Sequence, residues 1–141
     1  MAIWKSDISV DFLNDSARNT MIDYLGIKMV EIGDDYLKAS MPVDQRTSQA
    51  LGLLHGGASV VLAETVGTTA AQLCVEPGHY CLGLEINANH LRGVRSGLVY
   101  GVARPVHIGR TTQVWDIRIS DENDKPVCIS RLTIAVLKFE K

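Results

Sequence analysis

Apolar residues in this chain change their spacing as the elements change. Residues 8–25 carry Ile8, Phe12 and Leu13, then Met21, Ile22 and Leu25, at helical intervals. Ser16 is placed to cap the second of two short helices, and Gly26 to stop it. Two strands are predicted next, Ile27–Ile32 and Tyr36–Met41, with Gly33-Asp34-Asp35 as the turn of a hairpin. The polar segment Pro42–Leu54 reads as a loop. From about Gly57 to Val75 the chain is apolar or small at nearly every position, and Glu76-Pro77-Gly78 ends that helix. Beyond Pro77 the period falls to two. Leu82, Leu84, Ile86 and Ala88 alternate with more polar neighbours, then Leu98, Tyr100 and Val102, then Trp115, Ile117 and Ile119, then Leu132, Ile134 and Val136. Gly109-Arg110 and Asp121–Lys125 fall at the breaks, as hairpin loops. There is no internal repeat, low-complexity tract or linker. The simplest packing is α+β, an antiparallel sheet curled around one apolar helix, in a single domain over residues 1–141.

Composition narrows the partners. Hydrophobic residues make up 46% of the 141, charged residues 21%, and the net charge is -2, so no standing attraction draws the chain to nucleic acid or an anionic membrane. A phosphate-bearing ligand must then be held by a local cluster of cations. Cys74, Cys81 and Cys128 are an odd number without CxxC spacing, which points to buried free thiols in a reducing cytoplasm. Lys5, Asp7 and Asp11 interrupt the N-terminus where a signal peptide needs an apolar run. Gly56 to Val75 is the one stretch long and uncharged enough for a membrane span, but it holds Glu64, Gln72 and several hydroxyls, so a core helix is expected.

Glu64 is the residue out of place. Its surroundings, ASVVLAETVGTTAAQL, present no evidently solvated helix face. A carboxylate sealed there without a partner costs several kcal/mol or retains its proton. Two readings stand: a salt bridge to a cation elsewhere in the fold, or an acid, base or nucleophile facing a cleft. Thr68 lies one turn later on the same face, where its hydroxyl would hold a water beside Glu64.

The helix start adds a second feature. Leu54-His55-Gly56-Gly57 brings a loop onto a helix N-terminus through two glycines, where free N–H groups and the positive end of the helix dipole converge. That arrangement serves either as a simple capping turn or as a cradle for a developing oxyanion. Gly56 and Glu64 are eight residues apart, about 12 Å along a helix, too far to act on one carbonyl. Two antiparallel copies of the helix would bring Gly56 of one chain to Glu64 of the other, with Gly57, Ala58, Ser59, Ala63 and Gly67 allowing close approach. The site is therefore expected to be shared across a two-fold axis.

LHGGASVVLAETVGTTAA, preceded by MPVDQRTSQALGL and followed by GLEINANHLRGVRSG, resembles the hotdog-fold thioesterases of the phenylacetate-degradation and 4-hydroxybenzoyl-CoA type. The likeness runs on through QVWDIRI and SRLTIAVL and so covers nearly the whole chain. It implies hydrolysis of an acyl-CoA, with hydroxyaroyl groups the first choice and carrier-protein thioesters the alternative. It also implies a dimer with shared sites, assembled as a dimer of dimers. By the same resemblance Glu64 is the nucleophile or general base, and the Gly56 N–H polarises the thioester carbonyl. His55 supports that loop, Gln49 contacts the thioester and Thr68 orients water, with serine at that last position in the closest relatives. Coenzyme A contacts fall on Gly83, on His90, Leu91, Arg92 and Gly93, and on His107, Ile108, Gly109, Arg110, Thr111 and Thr112. Gly93 stands where relatives often carry a larger residue. The residues agree in part: a glycine within a strand suits close approach of a ligand, and arginines at strand ends suit phosphate.

Other chemistry is disfavoured by spacing. His55, His79, His90 and His107 form no HxxxH or HExxH pattern, so neither a metal nor an organic cofactor is expected. Ser48 and Ser59 lack the GxSxG context, and there is no phosphate-cradling loop. Two rivals remain. A hotdog hydratase would need an acid beside a catalytic histidine, and a non-catalytic acyl-CoA-binding module would have no use for Glu64.

Overall fold

Caps and turns divide the chain into two short helices, one long helix and six strands in a computed structural model that describes residues 1–140. Ser9 supplies the first cap, its hydroxyl accepting from the Phe12 N–H at 3.1 Å to begin α1 (Val10–Ser16). The expected Ser16 cap is corrected. Ser16 is the last residue of α1 and donates back to the Phe12 carbonyl, while Thr20 holds the N-cap position of α2 (Met21–Tyr24) without a side-chain bond. Gly26 does end α2, in the left-handed conformation at φ +76°.

The Gly33–Tyr36 turn, closed by a 2.9 Å bond from the Gly33 N–H to the Tyr36 carbonyl, joins β1 (Lys28–Ile32) to β2 (Leu37–Pro42). The long helix is α3 (Gly56–Gln72), followed by β3 (His79–His90), β4 (Leu98–Ile108), β5 (Thr112–Ser120) and β6 (Pro126–Lys138). All pair antiparallel in the order β1-β2-β4-β5-β6-β3, which leaves β1 and β3 as edges. The hairpin loops fall where expected: Gly109 bonds Thr112 at 2.8 Å, and Asp121 bonds Lys125 at 3.0 Å.

The concave side of the sheet holds α3. Leu62 and Val66 are fully buried against Val99, Ala103, Ile117 and Leu132. Glycine on both surfaces sets how close they come. A Cβ on Gly67 would stand 2.7 Å from Leu132 Cδ2, and one on Gly101 would stand 3.3 Å from Leu62 Cγ. Ala58, Ser59, Ala63 and Gly67, expected to face a second helix, are instead buried in this chain's own core. The face that α3 leaves partly open carries Gly57, Val60, Val61, Glu64, Thr65 and Thr68.

Two strands depart from the simple alternation. In β4 the buried set is Val99, Gly101 and Ala103, with Gly101 leaving the space that Leu62 and Val66 of α3 occupy. Leu98, Tyr100 and Val102 form the outer row, with Lys38 lying 4.9 Å from the Tyr100 ring centre. In β3 a bulge between Gly83 and Glu85 changes the phase, since Gly83 pairs with Ile134 and Glu85 with Thr133. Cys81 is buried before it and Ile86 and Ala88 pack on the core after it, whereas Leu82 and Leu84 are 52% and 63% exposed.

The N-terminal segment is held along the helix's C-terminal end. Ile3 bonds the Asp34 carbonyl, the Trp4 indole N–H donates to Gly33 at 2.7 Å, and Lys5 bonds Leu73. Trp4 stacks on buried Trp115 at 6.4 Å, and Trp115 in turn donates to Gln113.

The tight seat of α3 predicts that Gly67→Val is destabilising. Overpacking of this kind costs about 2 kcal/mol, equivalent to a fall in Tm of roughly 4–8 °C for a domain of this size. A thermal melt unchanged from wild type would show that the helix–sheet contact has slack.

Candidate active site

Two clefts lie at opposite ends of α3. The first, of about 410 Å³, is lined by Gln49, Gly56, Ser59, His90, Arg92 and Gly93 among others. The second, of about 640 Å³, is lined by Cys74, Val75 and Glu76, just past the helix, with Ile108 to Thr111 and Lys138. Between them, near mid-helix, stands Glu64.

Local bonding at the helix start combines a side-chain cap with a free backbone donor. His55 is the N-cap, and its Nδ1 accepts from the Gly57 N–H at 2.8 Å. That bond requires the proton of the neutral ring to sit on Nε2. The His55 N–H donates to Thr47 at 2.8 Å, and the His55 carbonyl takes Ala58 and Ser59. The Gly56 N–H has no acceptor among the described residues, so the first donor of α3 points unpaired into the cleft. The His90 ring lies alongside, with Nε2 only 2.8 Å from where a Gly56 Cβ would be. Any larger residue at Gly56 would displace that imidazole.

Gln49 enters from the loop before the helix. Thr47 shapes that loop by donating to Pro42 at 2.7 Å and accepting from Asp44. The Gln49 Oε1 accepts from the Leu51 N–H, and its Nε2 has no acceptor among the described residues. It is thus a free donor on a residue that lines the same cleft as Gly56.

Glu64 is half-buried, not sealed, because it sits on the open face of α3. Its salt-bridge reading has no support: no cation pairs with it among the described residues. Thr68 is half-buried on the same face, with no intrahelical bond from its hydroxyl, whereas Thr69 bonds back to the Thr65 carbonyl. The carboxylate and hydroxyl are therefore both available to a water.

The expected coenzyme segments divide between the two clefts. His90 to Gly93 belong to the first, where the space a Gly93 side chain would need is taken by Leu53 at 3.1 Å. Ile108 to Thr111 belong to the second, with His107 folded against Gly109. A 17-residue helix, about 25 Å long, separates them, so the single chain does not bring them together. Gly83 belongs to neither and faces Glu64. Electrostatics differ between the ends. Beside the first cleft the Lys125 backbone N–H above all, helped by the Asn123 N–H and the Arg92 charge, holds Asp121 below the usual carboxylate range. At the second, burial pushes the Cys74 thiol up to about 11. Ser59, whose spacing of three from Gly56 puts both on one helix face, is fully buried at the cleft, a place that its lack of GxSxG context does not reveal.

An unpaired helix-terminal N–H, an amide donor and an unpaired carboxylate are a set suited to acyl transfer. The thioesterase superfamily profile matches residues 51–128, which includes all of α3 and the first cleft's His90–Gly93 segment. The chain belongs to the thioesterase superfamily. The 1,4-dihydroxy-2-naphthoyl-CoA hydrolase of Escherichia coli is 53% identical over 96% of this chain and 99% of its own. The proofreading thioesterase EntH of Cronobacter sakazakii is 48% identical over 96% and 98%. A crystal structure of a mutant of thioesterase PA1618 from Pseudomonas aeruginosa superposes with a TM-score of 0.96 at 55% identity, covering 98% of this chain and all of that one. The fold is the hotdog fold, and the protein is a thioesterase.

Glu64→Gln preserves shape and removes the base or nucleophile. It is expected to slow the chemical step at least about 10²-fold in single-turnover kinetics, with the fold intact. Turnover near wild type would remove Glu64 from the chemistry.

Proposed function

We propose that this thioesterase hydrolyses a hydroxyaroyl-CoA at a site built from two chains. The observation that carries the two-chain reading is the separation of Gly56 from Glu64 by about 12 Å along one rigid helix. Antiparallel pairing of α3 on its open face would set the first cleft of one chain beside Glu64 and the second cleft of its partner. The two coenzyme segments would then meet at one ligand. The 12-residue edge strand β3, with Leu82 and Leu84 exposed, supports the same pairing, because unpaired apolar edges are otherwise an aggregation hazard. The dimer would pair again into a tetramer.

In this site the thioester oxygen accepts from the Gly56 N–H and gains from the helix dipole, with the Gln49 amide steadying the acyl group. The partner's Glu64 acts on the carbonyl carbon. As base it takes a proton from a water held by Thr68, the hydroxide adds to the carbonyl, and collapse of the tetrahedral oxyanion breaks the C–S bond to release coenzyme A thiolate. As nucleophile it adds to the carbonyl and expels coenzyme A thiolate, and water then opens the resulting mixed anhydride to free the acid and restore Glu64. Either course consumes one water and needs no metal, consistent with the lack of metal-ligand spacing.

The hydroxyaroyl preference rests on the likeness to the dihydroxynaphthoyl-CoA hydrolase, which makes 1,4-dihydroxy-2-naphthoyl-CoA of menaquinone biosynthesis the first substrate to test. Likeness to EntH keeps aryl carrier-protein thioesters as the second reading. Three buried free thiols suit work in the cytoplasm, and no helix among the described residues is long and apolar enough to cross a membrane.

Thiol release measured across acetyl-, long-chain acyl-, benzoyl- and dihydroxynaphthoyl-CoA and an aryl carrier protein, each with EDTA, checks the assignment. The highest kcat/KM is expected for the hydroxyaroyl-CoA, undiminished by the chelator. A carrier-protein thioester in first place would favour the second reading. A rate lost to EDTA and restored by a divalent ion would overturn the metal-free chemistry.

A further inference from the structure

We propose that Gly83 is a positioning residue for the reaction, a notch in β3 that lets the Glu64 carboxylate lie flat against the strand. This deepens the reading of Glu64 as the reacting acid and rests on it. Resemblance placed Gly83 among the coenzyme contacts, but its missing side chain points elsewhere. A Cβ built on Gly83 would overlap Glu64 Oε2, and would stand 3.3 Å from Glu64 Cδ and 3.6 Å from Leu132 Cδ1. The contact with Leu132 is ordinary, and the one with the carboxylate is not. Of the atoms on the inner face of β3, only the reacting group of Glu64 needs this position empty.

The local backbone supports the same role. Gly83 lies outside the left-handed region, so alanine fits its conformation without strain. Its glycine is therefore not explained by a turn. It sits instead at the β3 bulge, where pairing passes from Gly83–Ile134 to Glu85–Thr133 and Leu84 is the extra residue. Bulges next to reacting groups re-aim a strand. This one keeps Gly83 turned to α3 while Leu84 turns out to solvent. Glu64 has no ion-pair partner among the described residues, so the notch is what limits where its carboxylate rests. A displacement of about an ångström is enough to spoil alignment at a reacting carbon.

Gly83→Ala tests this directly, because the overlapping atom is the end of a flexible side chain and the fold can absorb it. The melting temperature is expected to stay near wild type, kcat to fall at least about tenfold, and KM for the best acyl-CoA to change by less than about threefold. In the Glu64→Gln background, the same substitution is expected to change the residual rate by less than about twofold, since Gly83 acts only through the carboxylate. A large rise in KM with kcat preserved would overturn the inference in favour of close approach by the coenzyme. An equal loss in both backgrounds would overturn it too. A fully active Gly83→Ala beside an inactive Glu64→Gln would sink the notch alone, whereas near-native Glu64→Gln would remove the acid and the notch together.

Discussion

Gly67 on the helix and Gly101 on the sheet let α3 settle until Leu62 and Val66 are sealed against β4, β5 and β6. That depth has a consequence for chemistry. Ala58, Ser59, Ala63 and Gly67 are used up inside the chain, and what remains on the outer face of α3 is Gly57, Val60, Val61, Glu64, Thr65 and Thr68. A rigid, well-anchored helix thus presents a carboxylate on a half-covered surface. At its start, the His55 side chain satisfies Gly57 and leaves the Gly56 N–H free. The unpaired N–H and the unpaired carboxylate are both fixed to the same rod, and the rod holds them apart.

That separation ties the proposed assembly to the proposed chemistry. A site complete within one chain would need a loop to carry one group toward the other. Here both groups are fixed by helical hydrogen bonds, and the bends that do occur, such as the β3 bulge, shape the surroundings of Glu64. The proposed two-fold pairing would supply the missing proximity without motion and duplicate it, giving two sites per dimer. It would also bury the edge of β3 and bring together the coenzyme segments that the single chain keeps at opposite ends of α3.

Much of this was legible in the sequence wherever one physical demand acted alone. Trp115, Ile117 and Ile119 in β5, and Leu132 and Ile134 in β6, alternate and are buried as alternation predicts. Glu64 and the two glycines were conspicuous because charge and conformational freedom are both unusual in an apolar helix. The failures came where two demands competed. In β4 the core face carries Val99, Gly101 and Ala103, two of them small beneath the helix, while Leu98, Tyr100 and Val102 are left on the outer row. In β3 the bulge reverses the phase midway, which no period-two count registers. Ser16 has cap chemistry, but it ends α1 with its hydroxyl turned back to the Phe12 carbonyl, and Thr20 holds the N-cap position of α2. Ala58, Ser59, Ala63 and Gly67 do form a close-approach surface, but its neighbour is the core of their own chain. Gly83 was visible as a strand glycine, yet only the placement of Glu64 shows what its missing side chain makes room for.

Mixed dimers test the two-chain site most directly. Glu64→Gln and Gln49→Ala each place one defect in both sites of a homodimer, so each alone is expected to be nearly inactive. If the groups come from different chains, a mixed dimer gathers both defects in one site and leaves the other whole. Refolding equal amounts together then gives about half mixed dimers, and total activity recovers to about a quarter of wild type. No recovery, with mixed dimers demonstrated by native mass spectrometry, would mean that Gln49 and Glu64 act within one chain, and the shared site would be wrong.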